Sequence, residues 1–132
     1  PARLVADSTT TLAELLADWE PPSLEGTRIV AQPHCHHHAV MGWGADAALL
    51  RRAGADVQRL AGCCGLAGNF GVERGHYDVS VAVARTQLLP AVEVASEDAV
   101  ILADGYSCRT QLGDLTTRRG THLAELLASR LP

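Results

Sequence analysis

Four cysteines are the residues with the most evident chemistry, and they fall at Cys35, Cys63, Cys64 and Cys108. Four thiolates brought together fit the tetrahedral iron ligation of a [4Fe–4S] cluster, and they equally fit a zinc site. The spacing differs from paired C-x-x-C knuckles, which disfavours a zinc ribbon. Because two of the cysteines are adjacent and the cysteine content is low for a disulfide scaffold, we expect a reducing compartment.

The adjacent cysteines lie in the stretch Gly62-Cys63-Cys64-Gly65. In a regular strand, neighbouring side chains point to opposite faces, which makes adjacent residues awkward ligands of one site. Glycine reaches backbone angles that other residues avoid, so a kinked turn here could aim both sulfurs the same way. The alternative is that the two cysteines are buried as small apolar side chains.

The first cysteine stands inside a histidine run, His34-Cys35-His36-His37-His38. Imidazole is a good ligand for zinc, copper and nickel, and it also donates hydrogen bonds that tune an iron–sulfur cluster. The alternative for each of these histidines is a solvated polar loop. His76 and His122 stand apart from the run, and we expect structural roles for both.

Apolar runs predict three strands, and a cysteine follows soon after each of them. The predicted strands cover 27–33, 56–60 and 99–103, and the predicted helices cover 9–19, 45–53, 76–89 and 121–130. This alternation indicates an α/β fold: a small, mostly parallel sheet with helices on its faces. Sites in such sheets form at the carboxyl ends of strands, so we expect the three cysteine loci to converge there.

Three of the helix predictions carry specific boundaries. Residues 76–89 combine strand-like and helix-like spacing, and their length favours one helix that ends before Pro90. For the last helix, Thr121 is the expected cap, and Gly54 is the expected left-handed end of the helix over 45–53.

One phrase, Leu-Ala-Glu-Leu-Leu-Ala, occurs at 12–17 and again at 123–128. It is either chance reuse of a common helical phrase or a trace of duplication. On the second interpretation, residues 1–22 are an N-terminal helix and linker that close a preceding, related unit. Residues 23–132 then form the cysteine-rich domain.

Composition limits the function classes. The 132 residues carry 11 basic and 15 acidic side chains, a net charge of −4, which argues against nucleic acid as a partner. No apolar run is long enough to predict a membrane span, and no signal peptide opens the chain. Walker and G-x-S-x-G motifs are absent. We therefore expect a cytoplasmic location, or a peripheral one at the inner membrane.

Three stretches together resemble a known family. They are His34-Cys35-His36, Cys63-Cys64-Gly65-Leu66-Ala67-Gly68-Asn69-Phe70-Gly71 and Ala103-Asp104-Gly105-Tyr106-Ser107-Cys108-Arg109. They look like the cysteine-rich CCG domain that occurs in heterodisulfide reductases and in the iron–sulfur component of glycolate oxidase. The resemblance covers about 27–130, and it is closest to the C-terminal end of bacterial FAD-linked oxidases of the lactate/glycolate dehydrogenase type.

The resemblance implies an electron-transfer domain that is not catalytic alone. Its four cysteines would hold one [4Fe–4S] cluster, with His34, His36 and Arg109 around it. A flavin domain of the same or a partner chain would carry FAD, oxidise a small 2-hydroxy acid and pass electrons on to a downstream acceptor. The family motif ends in C-x-x-C, whereas Gly105 occupies the first of those positions here, so a five-cysteine site is not available.

Two other functions remain open from the residues. One is a zinc-binding structural or interaction module, with Cys63, Cys64 and Cys108 joined by Cys35 or His36. The other is a thiol-redox domain in which a Cys63–Cys64 or Cys64–Cys108 disulfide cycles. The redox domain ranks last because a disulfide between adjacent residues is strained.

Overall fold

A four-stranded, all-parallel sheet organises the protein in the computed structural model, which describes residues 1–132. The strands are β1 (Arg28–Ala31), β2 (Asp56–Arg59), β3 (Val100–Leu102) and β4 (Gly120–Thr121). Their order across the sheet is β2-β1-β3-β4, so β1 and β3 are central. The α/β class and the parallel sheet predicted from the sequence are confirmed.

Eight α-helices and one short 3-10 turn accompany the sheet. The helices are α1 (Ala2–Ser8), α2 (Leu12–Leu15), α3 (Cys35–Met41), α4 (Gly44–Arg52), α5 (Tyr77–Ala84), α6 (Leu88–Val94), α7 (Tyr106–Leu115) and α8 (Leu123–Ala128), and the 3-10 turn is Phe70–Val72. All eight are too short or too polar to reach across a lipid bilayer.

The sheet separates two apolar clusters, and the central strands contribute to both. In β1, Ile29 belongs to one cluster and its neighbour Val30 to the other. In β3, Leu102 and Ile101 divide in the same way. Successive strand residues point to opposite faces, so apolar runs of this kind form strands that are buried on both sides.

The strand order places a crevice at the carboxyl ends of the two central strands. From β1 the chain moves outward to β2, and it later returns through β3 and moves outward on the other side to β4. The loops that follow β1 and β3 therefore leave the sheet in opposite directions. In open α/β sheets, this reversal point is where sites form. Here the two loops begin at Gln32 and Ala103.

The three predicted strands are confirmed with shorter bounds, and the helix predicted over 45–53 is confirmed as α4, Gly44–Arg52. Gly54 follows α4 with φ +83°, as expected for a left-handed end. The helix predicted over 9–19 is only partly right, since α2 covers just Leu12–Leu15. Thr11 caps this helix, and Thr11 and Glu14 form a reciprocal capping box.

Two boundary predictions are wrong. The single helix over 76–89 is instead α5, a break, and α6, and Pro90 lies in the first turn of α6. The first turn of a helix tolerates proline, since backbone N–H groups there lack intrahelical acceptors. Thr121 does not cap the last helix, because it belongs to β4; His122 caps α8 in a capping box with Glu125.

Both copies of the repeated phrase contribute to one apolar cluster. Ala13 from the first copy lies in the same buried cluster as Leu123, Leu126 and Leu127 from the second. Trp19, just beyond the first copy, packs partly buried against that cluster. The segment around α2 is thus continuous with the core on this face of the sheet.

Candidate functional site

The three cysteine loci converge at the carboxyl edge of the sheet. Cys35 is the first residue of α3 after β1, and Cys108 lies in the first turn of α7 after β3. Cys63 and Cys64 lie in the loop that follows β2. The Sγ atoms of Cys35 and Cys63 are 3.9 Å apart, and the thiols of Cys64 and Cys108 are hydrogen-bonded. All four cysteines are free thiols.

The thiols form an outer pair and an inner pair. In the outer pair, Cys35 is exposed and Cys63 is half-buried. In the inner pair, Cys64 and Cys108 are only 3% and 1% exposed and belong to the apolar cluster beneath them. The site therefore has a floor fixed in the core and a rim open to solvent.

Hydrogen bonding within the inner pair separates the two acidities. The Cys108 thiol donates to the Cys64 sulfur, and the backbone amides of Leu66 and Ala67 add further hydrogen bonds, which lower the pKa of Cys64 to about 6 against the opposing effect of burial. The same bond and burial raise the pKa of Cys108. Thiolate is the metal-binding form of cysteine, so the inner pair presents one ready ligand near neutral pH.

In the outer pair, burial raises the pKa of Cys63, although an amide opposes the shift. That amide belongs to Gly65, whose N–H donates to the Cys63 sulfur at 3.3 Å. Burial thus favours the thiol over the thiolate at Cys63. A metal or cluster would displace the thiol proton on binding.

Gly65 makes possible the turn that carries Cys63 of the outer pair and Cys64 of the inner pair. Its φ is +91°, and a Cβ at this position would lie 2.1 Å from the carbonyl oxygen of Ser80 in α5. The left-handed conformation disfavours a side chain here, and the close approach excludes one. Gly62, at the other end of the turn, packs against the side chain of Gln87, and a Cβ there would lie 3.2 Å from Gln87 Cβ.

Two glutamines that sequence reasoning missed hold this turn. Gln87 Oε1 accepts hydrogen bonds from the amides of Ala61 and Gly62, each at 2.9 Å. Gln32, directly after β1 and buried, donates from Nε2 to the carbonyl oxygen of Gly62 at 2.8 Å. These hydrogen bonds connect the turn to the end of β1 and to the start of α6. The signal in the sequence was that Gln32 is a polar residue inside the apolar run predicted as the strand over 27–33.

The residues after the turn are fastened to α7, which carries Cys108. The amide of Gly68 donates to Ser107 Oγ at 3.1 Å. Gln111 Nε2 donates to Ser80 Oγ at 2.9 Å, and both side chains are buried. These bonds connect the elements that present the inner pair.

The histidine run forms α3, and its members have different surroundings. His34 caps the helix, with its Nδ1 accepting from the amide of His37 at 3.4 Å. His36 is exposed beside Cys35. His37 Nε2 lies 3.8 Å from Asp46 Oδ2, and His38 contacts the guanidinium of Arg59. His37 and His38 thus contact neighbouring elements, whereas His34 and His36 stand on either side of Cys35 in the chain.

Arg109 and the two outlying histidines contact backbone and neighbouring side chains. Arg109 Nη1 donates to the carbonyl oxygens of Ala103 and Asp104, at 3.1 and 2.7 Å, and so binds the backbone at the end of β3. His76 stacks on Phe70 with ring centroids 4.3 Å apart, and His122 caps α8. Both outlying histidines therefore make structural contacts.

The donor set fits a metal or cluster by its chemistry. Four sulfurs on three loops are the ligand type of iron–sulfur clusters and of thiolate zinc sites. No group of three or more His, Cys, Asp or Glu side chains is already arranged around a common centre. The exposed Cys35, at the start of a helix, can rotate about χ1 without disturbing the core.

A small cavity lies near the carboxyl ends of β1 and β3, and none of the four cysteines lines it. This cavity, lined by Gln32, His34, His37 and Asp104, measures about 10 Å³, enough for roughly one water molecule.

Comparison with known proteins gives one similarity. The chain is 31% identical over 71 residues to the D-2-hydroxyglutarate dehydrogenase of Pseudomonas putida. The matched part is 54% of this chain and 7% of the length of that enzyme. No family model matches the chain, and no solved structure matches it.

Proposed function

We propose that this chain is an iron–sulfur-binding electron-transfer domain of a larger flavin-linked oxidoreductase that acts on a small 2-hydroxy acid. The observation that carries the proposal is the convergence of four free cysteines at the crevice between β1 and β3. The CCG-like motifs and the similarity to a 2-hydroxy acid dehydrogenase support it.

Cys35, Cys63, Cys64 and Cys108 are the proposed ligands. A [4Fe–4S] cluster bound by them supplies one-electron transfer. Cys64 is ready as a thiolate, whereas Cys63 and Cys108 must release protons for a cluster to bind. The apolar cluster beneath the inner pair excludes water from one side of the site. The exposed rim at Cys35 leaves the other side open to a redox partner.

The flavin chemistry belongs to another part of the assembly. No G-x-G-x-x-G follows a strand in this chain, so we assign FAD and the 2-hydroxy acid to a flavin domain in the same or a partner chain. That domain would reduce the cluster site, and a downstream acceptor would reoxidise it. The chain alone would not turn over substrate, and we propose the cytoplasm as its compartment.

Replacing one inner and one outer cysteine tests the ligand assignment. After anaerobic reconstitution, we expect Cys64→Ser and Cys35→Ser each to lose most of the iron bound by the wild-type chain, because each removes one of four ligands. Cys35 is exposed, so its replacement leaves the core intact and serves as the control for misfolding. Iron content equal to wild type in both variants would overturn the assignment.

One distance favours zinc as a second candidate. Zinc–sulfur bonds of about 2.3 Å in a tetrahedron place sulfurs about 3.8 Å apart. The Cys35 and Cys63 sulfurs are separated by 3.9 Å. Zinc bound stoichiometrically without acid-labile sulfide, under conditions in which iron and sulfide are both supplied, would favour a structural zinc module over electron transfer.

A further inference from the structure

Gly105 is a glycine for reasons of space. Its φ of −67° and ψ of 131° are angles that any residue adopts. A Cβ at this position, however, would lie 2.5 Å from Cδ2 of His34 and 3.1 Å from Sγ of Cys108. The absence of a side chain at 105 therefore lets the His34 ring pack directly against the backbone beside the Cys108 sulfur.

The loops after β1 and β3 make this contact. They leave the sheet in opposite directions at the crevice between the two central strands. His34 comes from the first loop, and Gly105 and Cys108 come from the second. The imidazole thus lies across the crevice, next to the inner thiol pair.

The cap of α3 decides which ring nitrogen carries the proton. His34 Nδ1 accepts a hydrogen bond from the amide of His37, so it cannot also carry a hydrogen in the neutral ring. The proton of the neutral imidazole is therefore on Nε2. Nε2 is bonded to Cδ2, the ring atom that packs against Gly105.

We propose that His34 tunes the redox potential of the cluster site, by donating its Nε2–H to sulfur there, and that Gly105 provides the space this requires. The inference rests on the proposed function. A hydrogen bond to cluster or ligand sulfur favours the more negative, reduced state, and so raises the reduction potential. His34 acts through the sulfur and is not a ligand.

Three variants test the proposal by redox titration of the reconstituted chain. His34→Asn keeps a side-chain acceptor for the helix cap but removes the imidazole. Gly105→Ala places a methyl group where the ring lies. Gly113→Ala is the matched control, since a Cβ there meets nothing within 4 Å and Gly113 is in the same helix as Cys108.

We expect His34→Asn and Gly105→Ala to bind iron as wild type does and to show a lower midpoint potential, with Gly113→Ala unchanged. A purely structural role would alter the unfolding midpoint and leave the potential in place. If both test variants bind iron and have the wild-type potential, the role of His34 is overturned and the proposed function is not. A wild-type chain that binds no iron would overturn the proposed function, and the role of His34 with it.

Discussion

At the residue scale, the inner thiol pair shows how neighbours set cysteine chemistry. Cys64 and Cys108 are both buried in the same apolar cluster, yet the pKa of Cys64 is lowered to about 6 while the pKa of Cys108 is raised. Hydrogen bonds to the sulfur separate them: Cys64 accepts from Cys108 and from two amides, and Cys108 is the donor. Burial alone would raise both.

Asp46 in α4 is a second buried group with an altered acidity. It is 3% exposed, and its Oδ2 has no hydrogen-bond partner. Burial raises the pKa of Asp46 above its ordinary 3.8; His37 opposes the shift, while Asp104 and Glu14 add to it. The charged form is thus disfavoured in the folded protein relative to the unfolded chain.

The sign of the pH effect follows from linkage. Because the folded pKa is the higher one, the folded state holds more protons, and this group's contribution to stability declines as pH rises from 3.8 through the folded pKa. We expect Asp46→Asn to remove that decline, so that stability relative to wild type is greater at about pH 7 than at about pH 4. Urea unfolding at several pH values measures the difference, and parallel curves for the two proteins would contradict it.

At the element scale, the turn that carries Cys63 and Cys64 depends most strongly on Gly65. Gly65 combines a φ of +91° with a contact to α5 that leaves no room for a Cβ. Gly75 has nearly the same φ, +89°, but a Cβ there meets nothing within 4 Å. The two positions thus separate backbone strain from steric exclusion.

Alanine substitutions at the two glycines should differ accordingly. Gly75→Ala should cost about 1–2 kcal/mol, the strain of a left-handed alanine. Gly65→Ala should cost about 1–3 kcal/mol more, because the methyl group meets the Ser80 carbonyl and must displace α5 or the turn. Denaturant unfolding of both variants provides the comparison. Equal losses would show that α5 does not confine the turn.

The elements that the sequence predicted correctly are those with a strong local pattern. The apolar run at 99–103 predicted β3, and the helical spacing before Gly54 predicted α4. β4 has only two residues, Gly120 and Thr121, and forms by pairing with β3, which no local pattern indicates. The histidine run forms α3, although it lacks the apolar periodicity by which helices are recognised.

The convergence of the cysteines could be predicted from the sequence, because the strands before them have strong local patterns. Parallel strands that each precede a cysteine imply a shared edge, and the loci do converge there. The residues that hold the turn were not predictable, because Gln32 and Gln87 act on Gly62 from 30 and 25 residues away along the chain. Nor was the contact of His34 with Gly105, which exists only once the two loops meet across the crevice.

At the scale of the whole molecule, the architecture gives the site two different sides. The core beneath the inner pair is continuous with the sheet, and the outer pair lies at the surface. The chain spans 7% of the length of the dehydrogenase it resembles, so electron entry and exit involve surfaces beyond this domain in our proposal. The exposed rim at Cys35 is where such a partner would approach.

The most direct test of cluster binding is the iron and acid-labile sulfide content of the wild-type chain, prepared and reconstituted without oxygen. We predict about four of each per chain, with a broad visible absorption at about 400 nm that disappears in Cys64→Ser. Zinc without sulfide, or no metal at all after reconstitution, would contradict the proposal. The fold would then have kept its four thiols for a structural metal or for thiol chemistry.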